Sequence, residues 1–166
     1  MAGSRARPAW WRNTRGEWYV VAQTILFALI AISPGWLGLR VELPGGLRAA
    51  TLIGGLALGG VGLLLALAGL WHLGDNLSVL PHPKEGATLV QTGAYRVVRH
   101  PIYAGLILGA VGWALLNASL IILLYAVGLF VFFDAKSRRE ERWLAATFAD
   151  YAAYRQRVRK LIPFVY

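Results

Sequence analysis

The feature that most limits what this chain can fold into is the arrangement of its apolar residues, which fall in blocks long enough to cross a bilayer. A membrane-spanning helix needs roughly 20 mostly apolar residues. Val20–Leu39 meets that length, interrupted by Gln23, Thr24, Ser33, Pro34 and glycines, and Ala49–Leu73 meets it more strongly. Ile102–Phe133 is a third block of 32 residues, divided near its middle by Asn117 and Ser119. As one helix it would be about 48 Å long, far beyond a hydrocarbon core of ~30 Å. We therefore read it as a tight helical hairpin, Ile102–Leu116 and Ala118–Phe133, with both arms extending into polar flanks. The expected fold is all-α, a polytopic membrane bundle of four transmembrane helices followed by a C-terminal cytoplasmic amphipathic helix. Composition agrees, since 57% of the 166 residues are apolar and only 15% are charged. Soluble domains average ~45–50% and ~25%. The length suits a single domain over 1–166, with no room for a separate soluble catalytic module. The first span is too long for a signal-peptide core and lacks a small-residue cleavage site, so it reads as a retained helix.

Charge sets the expected orientation. Fifteen of the 17 basic residues lie in the N-terminal tail (Arg5, Arg7, Arg12, Arg15), in the segment after the second span (Lys84, Arg96, Arg99), or from Lys136 onward. Only Arg40 and Arg48 fall between the first two spans. This alternation puts both termini and the central segment in the cytoplasm, here that of a prokaryotic plasma membrane. The formal net charge of +9 is thus a topology signal with some attraction for anionic headgroups, not a nucleic-acid footprint. Trp10, Trp11, Trp18 and Tyr19 suit the interface at the start of the first helix. In the second span Gly55, Gly59 and Gly62 let backbones approach closely, and we assign them to packing inside the bundle rather than to a homodimer seam.

The densest polar cluster ends the 27-residue segment Gly74–His100, which keeps enough aliphatic and aromatic residues to fold against the bundle. It reads Gly93-Ala-Tyr95-Arg96-Val-Val-Arg99-His100-Pro101-Ile-Tyr103-Ala-Gly105. Pro101 suits the first position of a helix. Arg99 and His100 then sit beside free backbone N–H groups and the positive dipole end, where carboxylates and phosphates bind. Tyr103 and Gly105 offer an aromatic wall and close backbone approach to a flat ligand. A second cluster runs from Asp134 to Leu144. If the last membrane helix continues through it, Lys136 and Glu140 share a face at i,i+4, while Glu141 and Arg142 fall on others. The hairpin returns this cluster to the side where Arg99 and His100 began. Phe148, Tyr151, Tyr154 and Val158 form an amphipathic stretch that either caps the site or lies on the membrane. The absence of cysteine excludes disulfides, thiolate metal sites and a Cys nucleophile. His72 reads as structural and His82 as a loop residue, with no metal-ligand spacing around either. No P-loop, G-x-S-x-G or Rossmann fingerprint is present.

The loop Ala87-Thr88-Leu89-Val90-x-x-Gly93-x-Tyr95, the block Arg99-His100-Pro101-x-Tyr103-x-Gly105, the pair Glu140-Glu141 and the ending Tyr151-x-x-Tyr154…Ile162-Pro163 together resemble the isoprenylcysteine carboxyl methyltransferase family and the related phospholipid methyltransferases. The likeness covers roughly residues 74–166. It implies S-adenosylmethionine as cofactor, bound on the cytoplasmic side by the C-terminal half. By position it implies cofactor contacts from Ala87, Thr88, Leu89, Val90, Tyr95, His100, Pro101, Ile102, Tyr103 and Glu140. Lys136 stands where the eukaryotic enzymes carry an arginine near the substrate carboxylate, and lysine keeps the charge without the bidentate fork. The expected chemistry is in-line methyl transfer, which needs positioning more than acid–base groups. Arg99 or the helix N-terminus would take the cofactor carboxylate, and Glu140 its ammonium or ribose hydroxyls. With a carboxylate acceptor no proton need move; with an amine, His100 or Glu140 is the candidate base. The acceptor is expected to be an amphiphile reaching the site between helices from the lipid. Two rival readings are a nicotinamide-dependent membrane reductase and a non-enzymatic scaffold. The adjacent carboxylates Glu140 and Glu141 disfavour the phosphate-rich cofactor of the first, and the ordered cluster at Arg99-His100 is superfluous for the second.

Overall fold

The computed structural model of the chain describes residues 16–36, 40–78 and 86–166. Among the described residues five α-helices carry the fold: α1 Glu17–Trp36, α2 Gly45–Leu73, α3 Pro101–Leu116, α4 Leu120–Thr147 and α5 Tyr151–Arg157. Helices α1, α2 and α4 are long and apolar enough to cross a membrane, whereas α3 is an apolar helix of 16 residues. At 1.5 Å per residue α3 reaches about 24 Å. The hairpin arms therefore differ. Pro101 opens α3 and Asn117 closes it, so α3 does not lengthen into its flanks. Helix α4 instead runs unbroken through the charged segment to Thr147.

The turn between them is built from three residues. Ala118 takes a left-handed backbone, with φ of 47°, which ends the first arm. Ser119 then caps α4, its hydroxyl accepting from Ile122 N at 3.4 Å. Arg48 lies within the first turns of α2 rather than in a loop, and its guanidinium donates to the carbonyl of Leu116 at 2.9 Å and of Leu115 at 3.4 Å. It thus satisfies carbonyls that a helix C-terminus leaves unpaired, at the negative end of the α3 dipole.

Helix α2 lies along α3, α3 along α4, and α4 along α1; α1 and α2 do not pack along each other. The α2–α3 seam is a set of glycines seven residues apart on both helices, Gly55 facing Gly112, Gly62 facing Gly105, and Gly69 set against Pro101 and Ile102. A Cβ on Gly62 would stand 2.6 Å from the Gly105 carbonyl oxygen, and one on Gly112 would stand 2.7 Å from that of Gly55. The glycines of the second span therefore serve packing within the bundle. Gly105 belongs to the same seam, pressed against Gly62 and Ala66, so the close approach it permits is that of a helix. In lipid, hydrophobicity does not drive helices together, and backbone proximity with dense van der Waals contact takes over. The core beneath the site is Ile122, Ala126, Leu129 and Phe133 of α4 against Ala110 and Ala114 of α3. The outward faces carry bare leucine, isoleucine and valine, among them Ile53, Leu56, Leu64, Leu124 and Val131, each more than half exposed. That surface is suited to acyl chains. The molecule is an integral membrane protein.

The seam makes a test. Gly62→Leu forces α2 from α3 and should cost about 1–3 kcal/mol or more, whereas Gly60→Leu places its side chain where nothing lies within 4 Å. Thermal unfolding of the detergent-solubilised protein should show a clear loss of stability for the first and little change for the second.

Candidate active site

The segment that follows α2 folds back on the bundle. A 3-10 turn at Gly74–Asn76 ends α2, and the Asn76 side chain brackets Thr88, its Oδ1 accepting from Thr88 N at 2.9 Å and its Nδ2 donating to Thr88 Oγ1 at 3.3 Å. His82 and the loop around it lie outside the described residues. A second 3-10 turn, Gly93–Arg96, buries Tyr95. Gly93 is required there twice over: its φ is 58°, and a Cβ would run into the ring of His72. His72 lies within reach of Ala68 O at 2.6 Å, in keeping with a structural role.

After this turn the chain meets its own C-terminal strap. Val98 and Arg159 form a parallel bridge; Arg99 N donates to Arg159 O at 2.8 Å and His100 N to Lys160 O at 3.1 Å. The strap is pinned to α4 by Asp134, which takes Lys160 Nζ at 2.5 Å, Tyr166 Oη at 2.8 Å and Arg138 at 2.7 Å. Helix α5 is held by Tyr154, whose buried hydroxyl donates to Tyr95 O at 2.7 Å. Burial pushes the phenols of Tyr95, Tyr151 and Tyr154 upward from their ordinary value, so all three remain neutral. Of the two options for the C-terminal amphipathic stretch, the structure takes the cap: Tyr151 and Tyr154 are buried over the site.

At the centre is a carboxylate clamp. Glu141 Oε1 accepts from Arg99 Nε at 2.9 Å and lies 2.9 Å from Arg99 Nη2 and 3.1 Å from His100 Nε2. The Arg99 and Glu141 side chains are each only 8% exposed. Arg99 Nη1 donates to the carbonyls of Arg155 (3.2 Å) and Val158. All three nitrogens of the guanidinium thus have protein acceptors, and the group also serves the C-terminus of α5. One residue earlier, Glu140 Oε2 accepts from Tyr103 Oη at 3.1 Å and stands 3.5 Å from His100 Nδ1. His100 therefore has a carboxylate on each ring nitrogen. Its ring stacks on Tyr103 (5.5 Å, 5°), which stacks on Phe133 (4.5 Å, 11°). Lys136, almost fully buried, donates to Gln23 Oε1 of α1 at 2.8 Å and lies 5.2 Å from the Tyr103 ring centre.

These groups surround a cavity of about 300 Å³, at the lower end of the range for small-molecule sites. Of the residues singled out from sequence, Ala87, Thr88, Leu89, Val90, Tyr95, Arg99, His100, Ile102, Tyr103, Lys136 and Glu140 line it. Pro101 does not; it is buried beneath, opening α3 and meeting Gly69. Sequence reasoning missed Gln23, Asn76 and Glu141. Gln23 was visible as the lone amide of an apolar block, and Glu141 as the twin of Glu140. A single helical wheel separates those two carboxylates, but Arg99 and His100 approach α4 from the side and meet both. Tyr151 also lines the cavity, its ring buried and its hydroxyl making no hydrogen bond of ordinary geometry although Arg99 and Glu141 are nearby.

Breaking a buried pair strands its partner's charge, at a cost of about 3–5 kcal/mol. Glu141→Ala should accordingly lower the unfolding midpoint sharply in detergent. Arg155→Ala should change it little, because Arg155 is 64% exposed and 4.0 Å from Glu141.

Comparison with known proteins gives this geometry a context. Residues 50–151 match the family model described as phospholipid methyltransferase. The cobalt-zinc-cadmium resistance protein CzcN of Cupriavidus metallidurans is 30% identical over 154 residues, 92% of this chain and 64% of that protein. The protein-S-isoprenylcysteine O-methyltransferase of Schizosaccharomyces pombe is 37% identical over 79 residues, 46% of this chain and 34% of that one. Its Saccharomyces cerevisiae counterpart is 40% identical over 81 residues, 46% of this chain and 33% of the yeast protein. The chain spans less than two thirds of the length of these relatives. The family model covers more than half of the chain, including both helices of the glycine seam and the Arg99–His100, Lys136 and Glu140–Glu141 groups, and the chain belongs to the phospholipid methyltransferase family.

Proposed function

We propose that this protein transfers a methyl group from S-adenosylmethionine to an amphiphilic, isoprenoid- or lipid-like acceptor, esterifying a carboxylate at the cytoplasmic face of the membrane. The observation that carries this reading is one cavity joining segment 87–90, Tyr95, the His100–Tyr103 stack and the opposite charges of Lys136 and Glu140, in a chain of a methyltransferase family. The donor set suits the cofactor. Glu140 keeps an oxygen, Oε1, that accepts no hydrogen bond among the described residues, a fit for an ammonium. The apolar and backbone groups of Ala87 to Val90 suit a flat base.

When bound, S-adenosylmethionine would supply an electrophilic methyl on a sulfonium for transfer to the acceptor oxygen, with the thioether as leaving group. The chain's own contribution is positioning and dryness. Glu140 holds the ammonium end, and Tyr103, donating to Glu140, fixes that carboxylate while offering its ring face to the cavity. His100 is fixed in turn by Glu140 and Glu141. Arg99, with its donors already engaged, acts as a positioning residue for Glu141 and the α5 cap. Lys136 attracts the acceptor carboxylate. The α5 cap and the bilayer keep water from the cavity, which would favour a transfer in which opposite charges neutralise. No general base is needed. The basic residues of the tails and central segment support cytoplasmic termini.

A reductase would bind NADPH instead. Calorimetry on the purified protein should show binding of S-adenosylmethionine and its demethylated product and none of NADPH. Glu140→Gln should weaken the first two by about tenfold to a hundredfold, the worth of a hydrogen bond to a charged group. Selective NADPH binding would overturn the reading.

Lys136 should separate donor from acceptor. With radiolabelled methyl transfer to (farnesylthio)acetic acid, which carries a free carboxylate, as the assay, Lys136→Met should raise the acceptor KM by about tenfold and leave the Kd for S-adenosylmethionine unchanged. Lys136→Arg should restore most of the acceptor affinity.

A further inference from the structure

The lipid-facing stripe of α4 changes character at one level. Leu120, Leu124, Val127 and Val131 recur every three to four residues and are each more than half exposed. The same stripe continues through Ala135 to Arg138 and Arg142, both exposed. The helix therefore passes from acyl chains to headgroups between Val131 and Arg138.

At that level the C-terminal strap meets α4. The Tyr166 ring packs near Phe130 at 6.2 Å, while its hydroxyl donates to Asp134, one turn further along. Between Leu161 and Tyr166 the chain makes a tight turn, closed by Val165 N and Tyr166 N donating to Ile162 O. The tip of this turn is apolar and uncovered: Phe164 is 90% exposed and Val165 72%. Phe164 also takes a left-handed backbone, with φ of 65°, which is costly for a bulky side chain. In water an exposed ring and a strained backbone would be unfavourable together. Where headgroups meet acyl chains, the exposed ring becomes favourable and offsets the strain. Trp71, 86% exposed in the last turn of α2, marks the corresponding boundary on that helix.

The tip is close in sequence to the site. Four residues before Phe164, Lys160 takes the His100 N–H on its carbonyl and reaches Asp134 with its ammonium. Arg159 O accepts from Arg99 N, and Leu161 is buried. Holding the tip in place thus holds the backbone acceptors of Arg99 and His100.

We propose that Phe164 and Val165 insert at the acyl boundary of the membrane the protein spans, that Arg138 and Arg142 take phosphates of anionic lipids beside them, and that this docking keeps the strap closed over the cavity. The occupant is an anionic leaflet surface, because two exposed guanidiniums lie on the stripe where the tip docks and that stripe is already lipid-facing. Burial of the ring drives insertion, and each basic residue near an anionic surface adds attraction that salt weakens. Docking at this surface does not depend on the methyl-transfer reading; it governs closure of the cavity, not the identity of its ligand.

The test uses the cysteine-free chain in nanodiscs of phosphatidylcholine alone and of an equimolar mixture with phosphatidylglycerol. A nitroxide on Phe164→Cys should be accessible to oxygen and shielded from a nickel chelate. One on Gln156→Cys, exposed on α5, should show the reverse. Hydrogen exchange at the Arg99 and His100 amides should be about tenfold slower in the mixed discs, and Arg142→Gln should cut this difference to about twofold, the loss expected for one basic residue at an anionic surface. Phe164→Gly relieves the left-handed backbone, so a tip without a partner would exchange no faster; docking predicts about tenfold faster exchange in both discs. The proposal is overturned by a label at 164 as hydrated as that at 156, by exchange that ignores headgroup charge, or by a Phe164→Gly protein that exchanges no faster than wild type. Spin–spin broadening between labels on two molecules would assign the tip to a second copy of this chain and overturn it as well.

Discussion

Glu141 is the carboxylate to which three distant parts of the chain are tied. It holds Arg99 and His100 from the segment before α3, and through Arg99 it reaches the carbonyls of Arg155 and Val158 at the end of α5. A buried charge pair of this kind contributes little net stability relative to an apolar replacement, yet it tolerates only one arrangement of its partners. Here that arrangement closes the site. With Arg99 committed to Glu141, Glu140 is left to face the cavity beside Tyr103, and the strap and α5 are drawn over the opening. The adjacent carboxylates thus differ in surroundings, Glu141 tying segments together and Glu140 bordering the cavity.

The glycine seam performs the equivalent task inside the membrane. Because α2 and α3 touch backbone to backbone at Gly55, Gly62, Gly105 and Gly112, they behave as one broad unit, and α1 attaches on the other side through α4. The attachment of α1 is aromatic and polar: Tyr19 against Phe132, Phe27 against Phe133, and Gln23 accepting from Lys136. A bundle joined this way has close packing on one flank and open space on the other. The open flank is bordered by α1, α2 and α3, and Leu106 lies between it and the polar cavity.

The transmembrane blocks, the hairpin around Asn117 and the start of α3 at Pro101 were legible in the chain because each depends on local physics: hydropathy over a helix length, a polar interruption, a missing N–H. The clustering of residues 87–90, Tyr95, His100–Tyr103, Lys136 and Glu140 was legible through the family likeness and the return of the hairpin. The role of Glu141 was not. Helical periodicity puts Glu140 and Glu141 about 100° apart on α4, and nothing local says that Arg99 and His100 arrive at an angle spanning both. Gly105 was misjudged for a related reason, since a small residue signals close approach without saying whether a ligand or another helix approaches.

What the sequence determined by itself was the solvent and the inventory. Blocks of apolar residues can be satisfied only by lipid or by each other, basic residues mark the flanks, and the family motifs supply the charged and aromatic groups. What only the tertiary structure decided was which of those groups share a space and which are consumed in holding the others. It turned Arg99 inward to Glu141, set Gln23 against Lys136, and left Gly59 and Gly109 facing a void while their neighbours fill the seam. The physical reason is that burial, charge pairing and close packing are properties of surroundings contributed by several segments at once. No single stretch of chain encodes them alone.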